Sequence, residues 1–469
     1  LIDLIRRARP DGPAIIAPTG TTTYGELTER AEAIARGLKQ RGLTRVACVI
    51  TDPPALLAVL AATSAIGCEA CTYAPLLTDA GIDELAEAFG HEVVLTNREL
   101  NLQVATAVTI AALPSTDGEL TPPPAMPLLV LTTGTTARPK AARHDWARLM
   151  QPAVRRAGSP EQRWLLAFNL NQFAGLQVLL HVLASGATLV VPSSIQPRDA
   201  LEAMVEHGVT HLSATPTFWR FLVALLGNEG TRPDLQQATL GGEAASAHLL
   251  EQVHHLFPNA KVSHIYASTE VGSGVSVTDG QQGLPVSVLE RNDEADVQFR
   301  IVDGQLEARS RIGMFSYHGD TSKDDAGKDD AGKDDAGKDG GKDEDGWLAT
   351  GDLVEVRDGR IHFVGRASET INVGGVKVHP LSIENVVSAV PGVRICHAYA
   401  KPNPVSGQIV GVDVVIDPDL DEEEVEDAIR EACEVLAPAA QPRRIRFVDE
   451  LDLRENKVAR GPSALPSDA

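Results

Sequence analysis

The sequence predicts an α/β protein: doubly wound layers with largely parallel strands, followed by a smaller α+β unit. Three observations carry this. Short apolar runs alternate with amphipathic helical stretches, capping and turn residues separate them, and the pattern changes character after Arg366.

Thr23-Tyr24-Gly25-Glu26 is a capping box. It opens a helix whose apolar stripe is Leu27, Ala31, Ile34 and Leu38, and which Gly42 ends. Val46 to Ile50 reads as a buried strand, Pro54 to Ile66 as a helix, and a strand follows near Thr72. The alternation recurs through Val182 to Val191, Ala200 to Glu206 and Val209 to Ala214. Beyond Arg366, a helix from about Leu381 carries Ile383, Val386, Val387 and Val390, with strands at Ile395–Tyr399 and Ile409–Ile416. A second helix opens on Asp421-Glu422-Glu423-Glu424, acids that complement its N-terminal dipole. Its stripe is Val425, Ala428, Ile429, Ala432 and Leu436.

Composition bounds the rest. At 469 residues and 43% hydrophobic content the chain buries substantial cores, as soluble globular proteins do. No apolar run reaches the roughly 18 residues of a membrane span. The charged N-terminal segment does not resemble a secretory signal, so a cytoplasmic location is expected. A net charge of −22 argues against nucleic-acid binding. Five scattered cysteines indicate a reducing compartment, and the Cys68/Cys71 pair, among Ala, Ile and Gly, reads as core rather than as a redox or metal pair. Residues 323–345 are a repeat with 5 Lys against 10 acidic side chains. Without apolar residues such a stretch cannot offset its ordering entropy, so it reads as a solvated surface expansion with no catalytic role.

The chemistry concentrates at LTTGTTARPK, Leu131 to Lys140, behind the apolar run Leu128–Leu131. A strand entering a loop of small residues offers bare N–H groups and hydroxyls to an anion, and Lys140 adds a point charge. The spacing is not that of the nucleoside-triphosphatase loop. By itself this is a phosphate cradle or a Thr-rich surface turn.

Together with four further segments, this loop resembles the pyrophosphate-binding signature of the adenylate-forming superfamily. That superfamily holds acyl-CoA synthetases, aryl-acid ligases, luciferases and peptide-synthetase adenylation domains. The segments are YASTE (266–270), WLATGDL (347–353), GRASETINVGGVKVHP (365–380) and ENKVAR (455–460), in that family's order. The resemblance implies a large domain over 1–366, including a smaller β subdomain and the acidic loop 321–346. A small mobile domain would cover 367–469, with its hinge at Ser368.

It also implies roles for individual residues. Thr132, Thr133, Gly134, Thr135, Thr136 and Lys140 would cradle the β- and γ-phosphates of ATP. Gly241, Gly242, Glu243 and Ala244 would form the adenine-side loop, with Tyr266 stacking on adenine. Thr269 would donate to the α-phosphate and Glu270 would hold Mg²⁺. Asp352 would accept the ribose hydroxyls, supported by Arg366; a plain interdomain ion pair is the alternative. Lys457 would bridge the carboxylate and the α-phosphate, meeting the need for positive charge where two anions react. Gly374 and Gly375 resemble a thiolation loop that admits a pantetheine arm, so one site runs two half-reactions by domain rotation. No carrier-type serine motif is visible, so the expected acceptor is free CoA, with a separate carrier protein second.

Amino-acid-activating relatives place an aspartate where Phe173 stands here. An ammonium there would go unpaired, which disfavours α-amino acids and favours an aryl, aliphatic or polycyclic acid. Asn171 and Gln172 are candidate hydrogen-bonding partners for a polar substituent, and the Ala267 methyl narrows the acyl pocket. Ala137, Ala141, Ala267 and Asn456 replace family glycines and raise a catalytically silent scaffold as a third reading. The retained Lys140, Glu270, Asp352 and Lys457 weigh against it.

Overall fold

The computed structural model describes residues 1–132, 140–227, 231–319 and 341–451, and the backbone of 453–454 and 457–458. Among these, the chain builds an eight-stranded sheet, a six-stranded sheet and two five-stranded sheets. In the eight-stranded sheet the order runs Gly272–Val277, Lys261–Ser268, Gln237–Gly241, His211–Ala214, Arg163–Leu165, Thr188–Val190, Pro13–Ala17, Gly20–Thr23. Its interior pairs are parallel and only the two edge strands run antiparallel. The six-stranded sheet repeats this plan, with the Lys140–Asp145 strand as its antiparallel edge. The doubly wound expectation is therefore met.

Local signals set the elements. Thr23 caps the Tyr24–Gln40 helix through the full capping box, and its predicted stripe is completely buried. The helix at Pro53–Ile66 is capped by Asp52, ends at Gly67 in the left-handed region, and is buried on nearly every face. An all-round apolar helix of this kind belongs inside a core. Close packing accounts for Gly37, in the last turn of the Tyr24–Gln40 helix. A Cβ there would lie 1.6 Å from the Leu113 carbonyl oxygen, so the helix propensity lost to glycine is the condition for the loop to dock.

The third sheet is antiparallel and joins Val297–Val302, Gln305–Ser310, Leu348–Arg357, Arg360–Arg366 and Leu284–Pro285. Its apolar cluster, around Phe299, Leu306, Met314 and Ile361, also takes in Val275 and Val277 of the eight-stranded sheet and Ala142 of the six-stranded one. The fourth sheet lies wholly beyond residue 370, with helices Pro380–Val387 and Glu422–Ala432. There the structure lengthens one predicted strand to Val393–Asn403. It ends the helices before Val390 and Leu436, which pack from the segments that follow.

All five cysteines are free and buried, and burial pushes the Cys68 thiol up to about 12, so the C-x-x-C is core. Residues 320–340 of the repeat lie outside the described residues, but its end corrects the reading of a wholly solvated loop. Asp343 accepts from the backbone N–H groups of Asp345 and Trp347 and pairs with Arg300 at 2.8 Å, while Lys342 donates to the Met314 carbonyl. An aspartate that bonds the backbone just ahead of it nucleates a turn, and here that turn delivers Trp347. Among the described residues no helix is long and apolar enough to cross a membrane.

Gly37→Ala is expected to destabilise the protein by about 1–3 kcal/mol through overpacking, despite alanine's better helix propensity. Thermal unfolding checks this: an unchanged or raised Tm would show that the Leu113 loop yields freely.

Candidate active site

Ligands in open α/β sheets bind beyond the carboxyl ends of the strands, and the predicted residues collect there. Tyr266, Ala267 and Ser268 close the Lys261–Ser268 strand, with a bulge between Tyr266 and Ala267, and Gly241 ends its neighbour. Gly274, opposite, permits the close approach, since a Cβ there would sit 2.7 Å from the Tyr266 carbonyl oxygen.

The Tyr266 hydroxyl donates to Asp352 Oδ2 at 2.7 Å, and Arg366 Nε lies 3.0 Å from Asp352 Oδ1. Asp352 and Arg366 are direct partners on adjacent strands, so their ion pair lies within one sheet, and the alternative of an interdomain pair fails. Burial and the Asp352 charge push the Tyr266 phenol well above its ordinary value. Burial pulls the Arg366 guanidinium down, but Asp352, Tyr266, Glu369 and Glu270 more than restore it. The Tyr266 ring stacks on Phe363 (5.2 Å, 18°) and meets Phe299 edge-on. One face of Tyr266 is thus occupied by Phe363.

Segment 315–318 runs along the free edge of the Lys140–Asp145 strand. Arg143 N–H donates to the Ser316 carbonyl, Phe315 N–H to the Arg143 carbonyl, and His318 N–H to the Ala141 carbonyl. This brings the Tyr317 hydroxyl to Glu270 Oε1 at 2.9 Å and puts Lys140 Nζ 5.1 Å from the Tyr317 ring centroid. Tyr317 therefore joins Lys140 to Glu270, which the sequence did not indicate: it stands just before the low-complexity stretch, in no motif. Gly313 is required beneath, because a Cβ there would meet the Glu270 carbonyl oxygen at 2.3 Å. Among the described residues no group of three or more His, Cys, Asp or Glu could hold a metal ion. A single oriented carboxylate is nonetheless what Mg²⁺ uses on a polyphosphate, with phosphate and water completing the shell, so Glu270 fits that ion.

The other predicted residues fare unequally. Thr132 donates to the Lys140 carbonyl across the loop mouth, while Thr133, Gly134, Thr135 and Thr136 lie outside the described residues. The strands on either side of it, Pro127–Thr132 and Lys140–Asp145, pair antiparallel. Gly242 takes a left-handed φ of 83°. Next to it, the Glu243 carboxylate accepts from the Thr217 N–H and hydroxyl at the start of the Pro216–Leu226 helix. Its side chain is committed as a helix cap, and what that turn offers a nucleotide is backbone. Thr269 follows directly after the Lys261–Ser268 strand, and Ala244 directly after Glu243.

Phe173 is the first residue of the Phe173–Ser185 helix, which has no side-chain cap, and is 7% exposed. Its ring lies 5.7 Å from that of His144, which the sequence reading did not select, and Asn171 Oδ1 is buried without a hydrogen-bond partner. Ser368 sits in an exposed one-turn helix, Ala367–Glu369. Gly374 and Gly375 form the exposed tip of the Ile371–Val373/Val376–Val378 hairpin, with φ of 59° and 89°, and Asn372 Oδ1 accepts from the Gly375 N–H. Two left-handed residues in a row make the turn that glycine permits. The Lys457 backbone pairs with Arg454, and its side chain lies outside the described residues.

The chain matches the family model described as AMP-binding enzyme over residues 5–308, and the AMP-binding enzyme C-terminal domain over 382–457. A feruloyl-CoA synthase from Amycolatopsis is 28% identical, over 95% of this chain and 94% of that protein. A 2-succinylbenzoate–CoA ligase from Oceanobacillus iheyensis is 24% identical, over 96% of each. Among solved structures, an anthranilate CoA ligase in complex with anthranoyl-AMP superposes with a TM-score of 0.81 at 19% identity, covering 97% of this chain and 94% of that one.

His91 and His144 are buried, and burial pulls both down to about 4. An unfolded histidine titrates near about 6.5. Between these values the unfolded chain binds more protons, so the stability contribution is complete above about 6.5 and is lost as pH falls toward 4. Thermal unfolding should show Tm dropping steadily from pH 6.5 to 4.5, with His91→Gln flattening the drop. A Tm constant across that window would contradict burial of neutral imidazoles.

Proposed function

Because the chain belongs to the AMP-binding enzyme family, we propose that it is an ATP-dependent acid–thiol ligase acting on a carboxylic acid other than an α-amino acid. In the first half-reaction a carboxylate oxygen attacks the α-phosphorus of ATP. The bond from that phosphorus to the bridging oxygen breaks, and pyrophosphate leaves with its electrons. In the second, the CoA thiol loses its proton to solvent and attacks the acyl carbonyl, releasing AMP and forming the thioester. The near-full-length likeness to two curated CoA ligases supports CoA as the acceptor. The free, buried cysteines are consistent with a cytoplasmic setting.

One observation carries the assignment: Asp352 and Glu270, the carboxylates read as the ribose and Mg²⁺ ligands, both bear on the charge of one arginine. Arg366 is paired with Asp352 and lies within the field of Glu270, and Glu270 is tied through Tyr317 to Lys140. Each Asp352 oxygen has further lone-pair capacity, so the ribose hydroxyls can donate while Tyr266 and Arg366 keep it oriented. Tyr266 offers adenine its unstacked face. Lys140 and the hydroxyl-rich loop hold the leaving phosphates, and Thr269 the α-phosphate. Bound at Glu270, Mg²⁺ would neutralise phosphate charge as the two anions approach. Lys457 supplies the second cation at that encounter. The small domain beyond Ser368 then turns to present the Gly374-Gly375 tip to the pantetheine arm.

Lys457→Ala is expected to lower pyrophosphate release about 10²–10³-fold, the loss that follows removal of one preorganised electrostatic contact. Unchanged release with ATP and a good acid would remove Lys457 from the reaction. Gly375→Leu should cut thioester formation by a far larger factor than acyl-AMP formation, because it obstructs only the second half-reaction. Equal losses in the two, measured separately in single turnover, would refute the alternation.

A further inference from the structure

Three groups outside the motif residues hold chemistry without a role: the cysteines of the six-stranded sheet, the His91–Tyr73 pair, and Tyr317. The cysteines are inert through burial. His91 is held by the Tyr73 hydroxyl at 2.7 Å, in a buried pair remote from the motifs. Tyr317 touches two residues expected to meet ATP, Lys140 and Glu270.

The main chains around Tyr317 are fixed without its hydroxyl. Segment 315–318 is bonded by its backbone to the Lys140–Asp145 strand, and the Glu270 carbonyl accepts from the Met314 N–H at 3.0 Å. The hydroxyl constrains something else, the Glu270 carboxylate, a long side chain that must surrender rotamer freedom to bind an ion. The 2.9 Å bond runs from a phenol to a charged acceptor and occupies Oε1. Among the described residues nothing bonds Oε2, which stays available. Near-ideal octahedral geometry is demanded around Mg²⁺, so the aim of that oxygen matters. Partners that orient a metal-ligating group typically govern metal affinity by about 10–100-fold.

The ring of Tyr317 meets the other group. Lys140 Nζ stands 5.1 Å from the ring centroid, within reach of the π face. Lys140 and Glu270 carry opposite charges, yet among the described residues no ion pair joins them, and the Tyr317 side chain lies against both. A direct pair would spend on each other the two charges that a metal–triphosphate needs, the ammonium for phosphate oxygens and the carboxylate for the cation. Tyr317 is neutral. Its hydroxyl engages the carboxylate and its ring the ammonium, and both keep their charge for the ligand.

Resting on the ligase reading, we propose that Tyr317 is the positioning residue of the metal–triphosphate site. Its hydroxyl aims Glu270 at Mg²⁺, and its ring holds Lys140 for the phosphates and out of a direct pair with Glu270. It acts through these two residues and not on the reacting atoms.

ATP binding to the full-length protein without an acid, measured by calorimetry in excess Mg²⁺ and again in EDTA, separates the two contacts. The ratio of the two dissociation constants is the coupling between metal and nucleotide. The wild type should show a ratio of at least about tenfold, and Glu270→Gln should bring it near one. Tyr317→Phe, which removes only the hydroxyl, should also bring the ratio toward one while leaving the constant in EDTA within about twofold. Tyr317→Leu, which removes the ring as well, should in addition weaken ATP in EDTA by about fivefold. A wild-type ratio in Tyr317→Phe overturns the inference, even if both constants weaken together, as they would around a merely structural tyrosine. A ligand-free Tm lowered by several degrees in Tyr317→Phe makes the hydroxyl structural and overturns it too, as does a Tyr317→Leu constant in EDTA equal to the wild type's. If Glu270→Gln keeps the wild-type ratio, Glu270 does not hold the metal, and the inference falls while the ligase reading stands. A wild type that binds ATP in neither condition sinks the ligase reading, and the inference with it.

Discussion

The site depends on one buried carboxylate, Asp352, held from both sides. Tyr266 reaches it from the end of the eight-stranded sheet, and Arg366 from the neighbouring strand of the antiparallel sheet. A hydrogen bond to a charged group contributes about 1.5–3 kcal/mol, and an ionised acid at 9% exposure persists only if such partners offset its desolvation. The same three residues join two sheets that share no strand, beside a buried apolar cluster to which both sheets contribute. They do so two residues before the chain turns at Ser368 into the C-terminal sheet. A group expected to bind ribose is thus also the bolt between the large α/β layers and the strand that leads out to the smaller domain.

A second junction works by backbone. The Lys140–Asp145 strand is the edge of its sheet, and an unpaired edge is a liability. Segment 315–318 covers it, and in doing so carries Tyr317 to Glu270. Gly313 and Gly274 allow the chain to pass where any side chain would collide with the Glu270 or Tyr266 carbonyl oxygen. Lys140 and Glu270, from distant parts of the sequence, are therefore brought to one place by edge pairing and by two missing side chains.

Much was legible beforehand. The capping box at Thr23 and the stripe from Leu27 to Leu38 needed only helical spacing, and both stand as read. The motif residues Tyr266, Asp352 and Arg366 are in contact, and Glu270 lies near enough to bear on the Arg366 charge. Glu243 did not behave as expected: its carboxylate caps a helix that begins 27 residues upstream at Pro216, a partner no local pattern reveals. The repeat was read as solvated throughout because its composition lacks apolar residues. Asp343 nevertheless anchors its end, since one aspartate bonding the backbone ahead of it needs no hydrophobic support.

The sequence by itself determined the class of fold, the element boundaries to within a few residues, and the family chemistry. Those depend on periodicity, capping and short motifs, which act over distances of a few residues. Only the tertiary structure decided what lies against the motifs: Phe363 beneath Tyr266, Tyr317 on Glu270, and His144 on Phe173. These contacts join residues 29 to 97 positions apart. They arise from strand order, sheet edges and close approach, which no local spacing encodes. The Leu131–Lys140 loop follows the same division. Its residues raised the expectation of an anion site, but that Lys140 stands beside the Glu270–Tyr317 pair follows from which strand edge segment 315–318 covers.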